Sequence, residues 1–83
     1  MASLEEIRTS LAEAREQVRL GYELLRAGQR LLSDAEKLLA ELDRLHPESV
    51  VPPELRRTDE QTSAALALAA STIELIDGFT GAL

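Results

Sequence analysis

SLEEIRTSLAEAREQVRLGYELLRAGQRLLSDAEKLLAELDRL, residues 3 to 45, decides the fold. Leu4, Leu11, Val18, Leu25, Leu32 and Leu39 recur every seven residues without a slip. A second column, Ile7, Ala14, Gly21, Gly28, Ala35 and Leu42, follows three residues behind. Taken as positions a and d of a heptad, the two columns predict one long helix with a coiled-coil seam. A third column, Leu24, Leu31, Leu38 and Leu45 at position g, widens the apolar face of the second half, so that half can touch two neighbours. Gly21 and Gly28 each cost about 1 kcal/mol in a helix interior relative to Ala. On the seam beside Ala14 and Ala35 they are expected to face a helix and let its backbone come close.

Both ends of this helix are written in the sequence. Ser3 with Glu6 forms a capping box, and Glu5 and Glu6 suit the positive end of the helix dipole. At the other end Pro47 cannot continue the helix and disfavours helical geometry at His46. The i,i+3 pairs Glu5–Arg8, Glu16–Arg19, Glu23–Arg26, Asp34–Lys37 and Glu41–Arg44 describe a solvated face.

Residues 46–52 predict a short, stiff connector. A second helix is expected from Pro53 to about Gly78, with Gly81 as a further possible stop, because Pro suits a first helical turn and Gly a helix end. Thr58 with Gln61 offers a later start, which is the less favoured reading. The seam of the second helix is Leu55, Thr62, Leu66, Ala69, Ile73, Ile76, Thr80 and Leu83. The predicted fold is all-α: one domain, residues 1–83, folded as an antiparallel two-helix hairpin.

Two features reach beyond one hairpin. Residues 61 to 73, QTSAALALAASTI, carry no charge, and a single neighbouring helix covers only one side of them. The second helix is also shorter than the first, so Leu4, Ile7 and Leu11 are expected to overhang it. Exposing such side chains forfeits about 1.5–3 kcal/mol each. Both point to a homodimer forming a four-helix bundle. Its expected interface residues are Leu4, Ile7, Leu11, Val18, Gly21, Gly28, Leu66 and Ile73, with a heteromeric protein complex as the main rival.

Composition narrows the function classes. The chain has 83 residues, a net charge of −6, no Cys, and Tyr22 and Phe79 as its aromatics. The acidic balance argues against nucleic acid as a partner. The uncharged stretch is too short and too polar at its ends to predict a membrane span. Met1 to Glu6 has neither the basic start nor the apolar run of a signal peptide, so a cytoplasmic protein is expected, with signal-less export open. No catalytic residue, metal site or cofactor site is predicted. His46 is the one histidine, Asp43-x-x-His46 lacks companion carboxylates, and there is no glycine-rich phosphate loop. Arg44, Arg56 and Arg57 make a small basic spot at the turn.

With His46-Pro47-Glu48 at the turn, the alanine-rich stretch Ala64 to Ala70, and the close Phe79-Thr80-Gly81-Ala82-Leu83, the chain resembles small actinobacterial helical-hairpin accessory and leader proteins of toxin or specialised-secretion loci. It is a WXG-like hairpin without the Trp-x-Gly motif. The resemblance implies an accessory or targeting module. The functional expectation is therefore a non-enzymatic interaction or adaptor module that self-associates through a Leu/Ala seam and docks a partner such as an exported toxin. The alternative is a small acidic inhibitor or antitoxin that neutralises a basic enzyme.

Overall fold

The computed structural model describes every residue except Met1, Pro47, Ser49 and Val50. Two helices account for the fold, α1 over Leu4–Leu45 and α2 over Pro53–Ala82, and no strand occurs among the described residues. At about 1.5 Å per residue, the 42 residues of α1 set the length of the molecule, which measures 66 × 18 × 14 Å.

The start of α1 follows the capping reading. Ser3 is extended, and its Oγ accepts a 3.1 Å hydrogen bond from the Glu6 backbone N–H. Its end is at Leu45, with His46 extended as the cap and its N–H donating to the Asp43 carbonyl at 3.4 Å. The connector expected over 46–52 includes Pro47, Ser49 and Val50, which lie outside the described residues. Neither Gly21 nor Gly28 breaks the helix.

α2 begins at Pro53, the early start. Thr58 does not cap; its Oγ1 donates back to the Glu54 carbonyl at 2.9 Å, inside the helix. The expected stop at Gly78 is corrected: the helix runs on to Ala82. A glycine stop works through a positive φ just past the last turn, and neither Gly78 nor Gly81 adopts one. Thr80 supports the extra turn, its Oγ1 donating to the Ile76 carbonyl at 3.0 Å.

Two cross-helix pairs fix direction and register. Arg15 Nε donates to Asp77 Oδ1 at 2.7 Å, and Gln29 Nε2 donates to Ser63 Oγ at 2.9 Å. Fourteen residues forward on α1 match fourteen backward on α2, so the helices are antiparallel. Extrapolated, Ala82 lies level with Ser10 of α1. Leu11 is accordingly half-buried, which corrects the expectation that it overhangs, while Leu4 and Ile7 stay exposed beyond α2.

The core is thin. Among the described residues only Leu66, 8% exposed, is buried. Around it lie half-buried Val18, Leu25, Leu32 and Leu39 of α1 and Leu55, Thr62, Ala69, Ile73 and Ile76 of α2, the seam predicted for α2 except for exposed Thr80 and Leu83. The chain exposes 6479 Å², whereas a compact folded monomer of 9.1 kDa exposes about 4,900 Å². The radius of gyration is 19.1 Å against about 12 Å for a compact domain of this length.

Candidate functional site

The way α2 seats on α1 creates the feature of interest. Along α1 column a is half-buried from Leu11 onward and column e from Arg15 onward, namely Arg15, Tyr22, Gln29, Glu36 and Asp43, whereas in column d half-burial is confined to Gly21, Gly28 and Ala35. The helix rests on the a/e side and not squarely on a/d. The polar e column supplies the groups that tie it there, Arg15 to Asp77 and Gln29 to Ser63.

Column d is thereby left at the edge of the contact. Gly21 and Gly28 are half-buried, yet a Cβ built on either meets nothing within 4 Å. The expectation that these glycines face a helix is corrected for the hairpin itself: α2 does not press on them. Column g is open altogether, with Leu24 at 74% exposed and Leu45 at 81%, and Leu31 and Leu38 little less.

Columns d and g together form a second seam. Gly21, Leu24, Gly28, Leu31, Ala35, Leu38, Leu42 and Leu45 alternate steps of three and four. α2 carries a matching exposed row, Leu68, Leu75 and Phe79, with Gly78 and Ala82 between and beyond. Turning about 100° per residue around each helix from the Arg15–Asp77 and Gln29–Ser63 pairs places both rows on the flank opposite those pairs. One flank of the hairpin is polar and hydrogen-bonded. The other is a long apolar face shared by both helices.

Of the expected interface residues, the hairpin half-buries Leu11, Val18, Gly21, Gly28 and Ile73, buries Leu66, and leaves Leu4 and Ile7 exposed. Leu24, Leu31, Leu38, Leu68, Leu75 and Phe79 are exposed apolar residues outside that expected set, although column g was read from the sequence as a face for a second neighbour. The seven-residue spacing of column g was the available signal.

Charged groups sit on the remaining surface. Arg19 donates to Glu16 at 2.7 Å, Glu5–Arg8 closes at 3.8 Å and Glu41–Arg44 at 3.6 Å. Arg26 donates instead to the Tyr22 hydroxyl at 3.5 Å. The Arg19 hydrogen bond holds the Glu16 carboxyl below its ordinary value. The guanidinium of Arg15 is raised by its hydrogen bond to Asp77 and by the charge of that carboxylate.

At the hairpin end, a cleft of about 520 Å³ is lined by Glu36, Ala40, Asp43, Val51, Pro52, Pro53 and Arg56. Arg56, part of the basic spot expected at the turn, lines this cleft together with the acidic Glu36 and Asp43. No group of three or more His, Cys, Asp or Glu suited to a metal ion occurs among the described residues.

The continuous α2 helix is, by length and composition, apolar enough to cross a membrane. Against that stand Glu74 and Asp77 in its second half, since a charge at a membrane-helix centre costs about 2.5–3.5 kcal/mol. Asp77 is moreover held by Arg15 of α1. No protein-family model, curated protein or solved structure matches this chain.

Proposed function

We propose that this protein is a non-enzymatic helical interaction module, an adaptor that self-associates through its apolar face and docks a helical partner protein. The observation that carries the reading is the shared face of Leu24, Leu31, Leu38, Leu45, Leu68 and Leu75, open on a hairpin with one buried side chain among its described residues. A contiguous apolar surface of that extent marks a protein–protein contact. A four-helix bundle of two hairpins would cover it.

The resemblance to accessory proteins of toxin and secretion loci points the same way, with a toxin as the docked partner. An inhibitor that mimics an acidic ligand would need its carboxylates gathered in one patch. Here Glu16, Glu41 and Asp77 are each occupied by an arginine of the same chain, which favours the adaptor.

The test is the mass of the purified chain and of Leu31→Glu at low micromolar concentration, by sedimentation or light scattering. Leu31 is 71% exposed in the hairpin, so its loss leaves the hairpin contacts in place. A dimer that becomes a helical monomer on substitution supports the reading. A cooperatively folded wild-type monomer rejects self-association.

A further inference from the structure

We infer that the occupant of the apolar face is a second copy of this chain, laid antiparallel so that α1 of one protomer runs along the full length of α1 of the other. This rests on the self-association reading and adds the arrangement to it. The first argument is area. The chain exposes 6479 Å², an excess of about 1,600 Å² over a compact monomer of its mass. A stable specific interface takes about 800 Å² from each partner, and obligate dimers take more. One further copy on one face is of the right size to absorb the excess.

The second argument is the size pattern of the seam. Column d holds the small residues Ala14, Gly21, Gly28 and Ala35. Column g holds Leu24, Leu31, Leu38 and Leu45. In a parallel pair, each layer sets a column against itself, so glycine would face glycine and leucine would face leucine. The seam would alternate between voids and crowding, both of which destabilise a packed interface. In an antiparallel pair, every layer sets column d against column g. Leucine then falls opposite a small residue in every middle layer of the seam except those that hold Gln17.

The register follows from coverage. With Leu24 opposite the partner's Gly28, Gly21 meets the partner's Leu31, Ala14 meets the partner's Leu38, and Ile7 meets the partner's Leu45. Ser10 and Gln17, the polar members of column g, meet the partner's Leu42 and the partner's Ala35. This arrangement covers exposed Ile7, and it sets Leu68 of α2 against the partner's Ala64. Sliding by two heptads, so that Gly28 meets the partner's Leu38, would keep the size match. It would leave Ile7, Leu75 and Phe79 bare. The full-overlap register brings Glu13 near the partner's Glu41, at the rim, where Glu41 already has Arg44 at 3.6 Å.

The chain lacks cysteine, so single cysteines report the arrangement without background. Gly21→Cys and Leu31→Cys are purified separately under reducing conditions, mixed, allowed to exchange subunits, and air-oxidised. A Cβ at Gly21 meets nothing within 4 Å, so the hairpin accommodates it. The expected result is a disulfide-linked dimer in the mixture and none in either variant alone. In the antiparallel register, Gly21 lies about 15 Å along the axis from its own copy, beyond disulfide reach.

Self-linking of each variant would establish a parallel pair and overturn the inference. Linking in a Gly28→Cys plus Leu38→Cys mixture, and not in the first, would establish the shifted register and overturn full overlap. A dimer by mass with no link in either mixture would overturn the full-overlap register. A wild-type monomer by sedimentation is the separate result that removes the self-association reading itself.

Discussion

Leu66 is the residue on which the hairpin turns. It is the one buried side chain among the described residues, at the centre of the α2 face that meets Val18, Leu25 and Leu32. Leu66→Ala is expected to cost about 2–5 kcal/mol, from lost transfer energy plus the cavity left behind. In so thin a core that should unfold the hairpin in thermal melts followed by circular dichroism. Glu16 sits at the other extreme, exposed and held by Arg19. Its folded-state value is depressed below 4.5, so its contribution is present above the ordinary carboxylate range. That contribution is lost as pH falls through the lowered value. A carboxyl-resolved NMR titration should find Glu16 titrating below the ordinary glutamate range, and Arg19→Ala should return it upward. Solvent screening keeps the accompanying loss of stability small. The glycines were legible in sequence only as positions on a seam. Which seam they serve depends on where α2 sits, and no single residue encodes that.

At the scale of the helices, the sequence specified more than it did for the site. Heptad spacing, the Ser3 cap and the approach to Pro47 are local signals, and α1 has the length they dictate. The end of α2 was misread because Gly78 is a stop only when the chain is free to turn into a positive φ. Phe79, Thr80 and Ala82 carry no such turn signal and continue the helix. The docking side of α1 was misread for a different reason. Three apolar columns, a, d and g, span more of the helix than one neighbour covers, so hydrophobicity alone leaves the choice open. The polar e column settles it through Arg15 and Gln29, at sequence separations of 62 and 34 that no local pattern reveals. Two measurements follow. Ser3→Ala should cost about 1 kcal/mol and speed amide exchange in the first turn of α1, leaving α2 protected. A double-mutant cycle on Arg15→Ala and Asp77→Ala should give a small favourable coupling that salt weakens, as befits an exposed pair.

At the scale of the whole molecule, a 66 Å rod two helices wide has little inside to hold it together. A small chain with so little buried apolar surface is marginal unless assembly, metal or disulfides add to it. This chain has no cysteine, and its described residues form no metal cluster. If the apolar face is an interface, folding and association are one equilibrium, and mass action ties stability to concentration. The melting temperature should therefore rise with protein concentration. A tenfold increase is worth about 1.4 kcal/mol in the association equilibrium, enough to move the midpoint by several degrees in a chain of this size. Leu31→Glu should remove the dependence and lower the midpoint at every concentration, because the carboxylate occupies the face and not the hairpin core. Gly28→Ala gives the counter-check. It improves helix propensity by about 1 kcal/mol and adds a methyl group where nothing in the hairpin lies within 4 Å. In the Leu31→Glu background, where only the hairpin remains, Gly28→Ala should therefore stabilise. In the wild-type background the proposed dimer would set the same methyl group against the partner's Leu24, and the gain should shrink or reverse. A midpoint independent of concentration over two decades, with Gly28→Ala stabilising equally in both backgrounds, would mean that this face stays solvated and the hairpin folds alone.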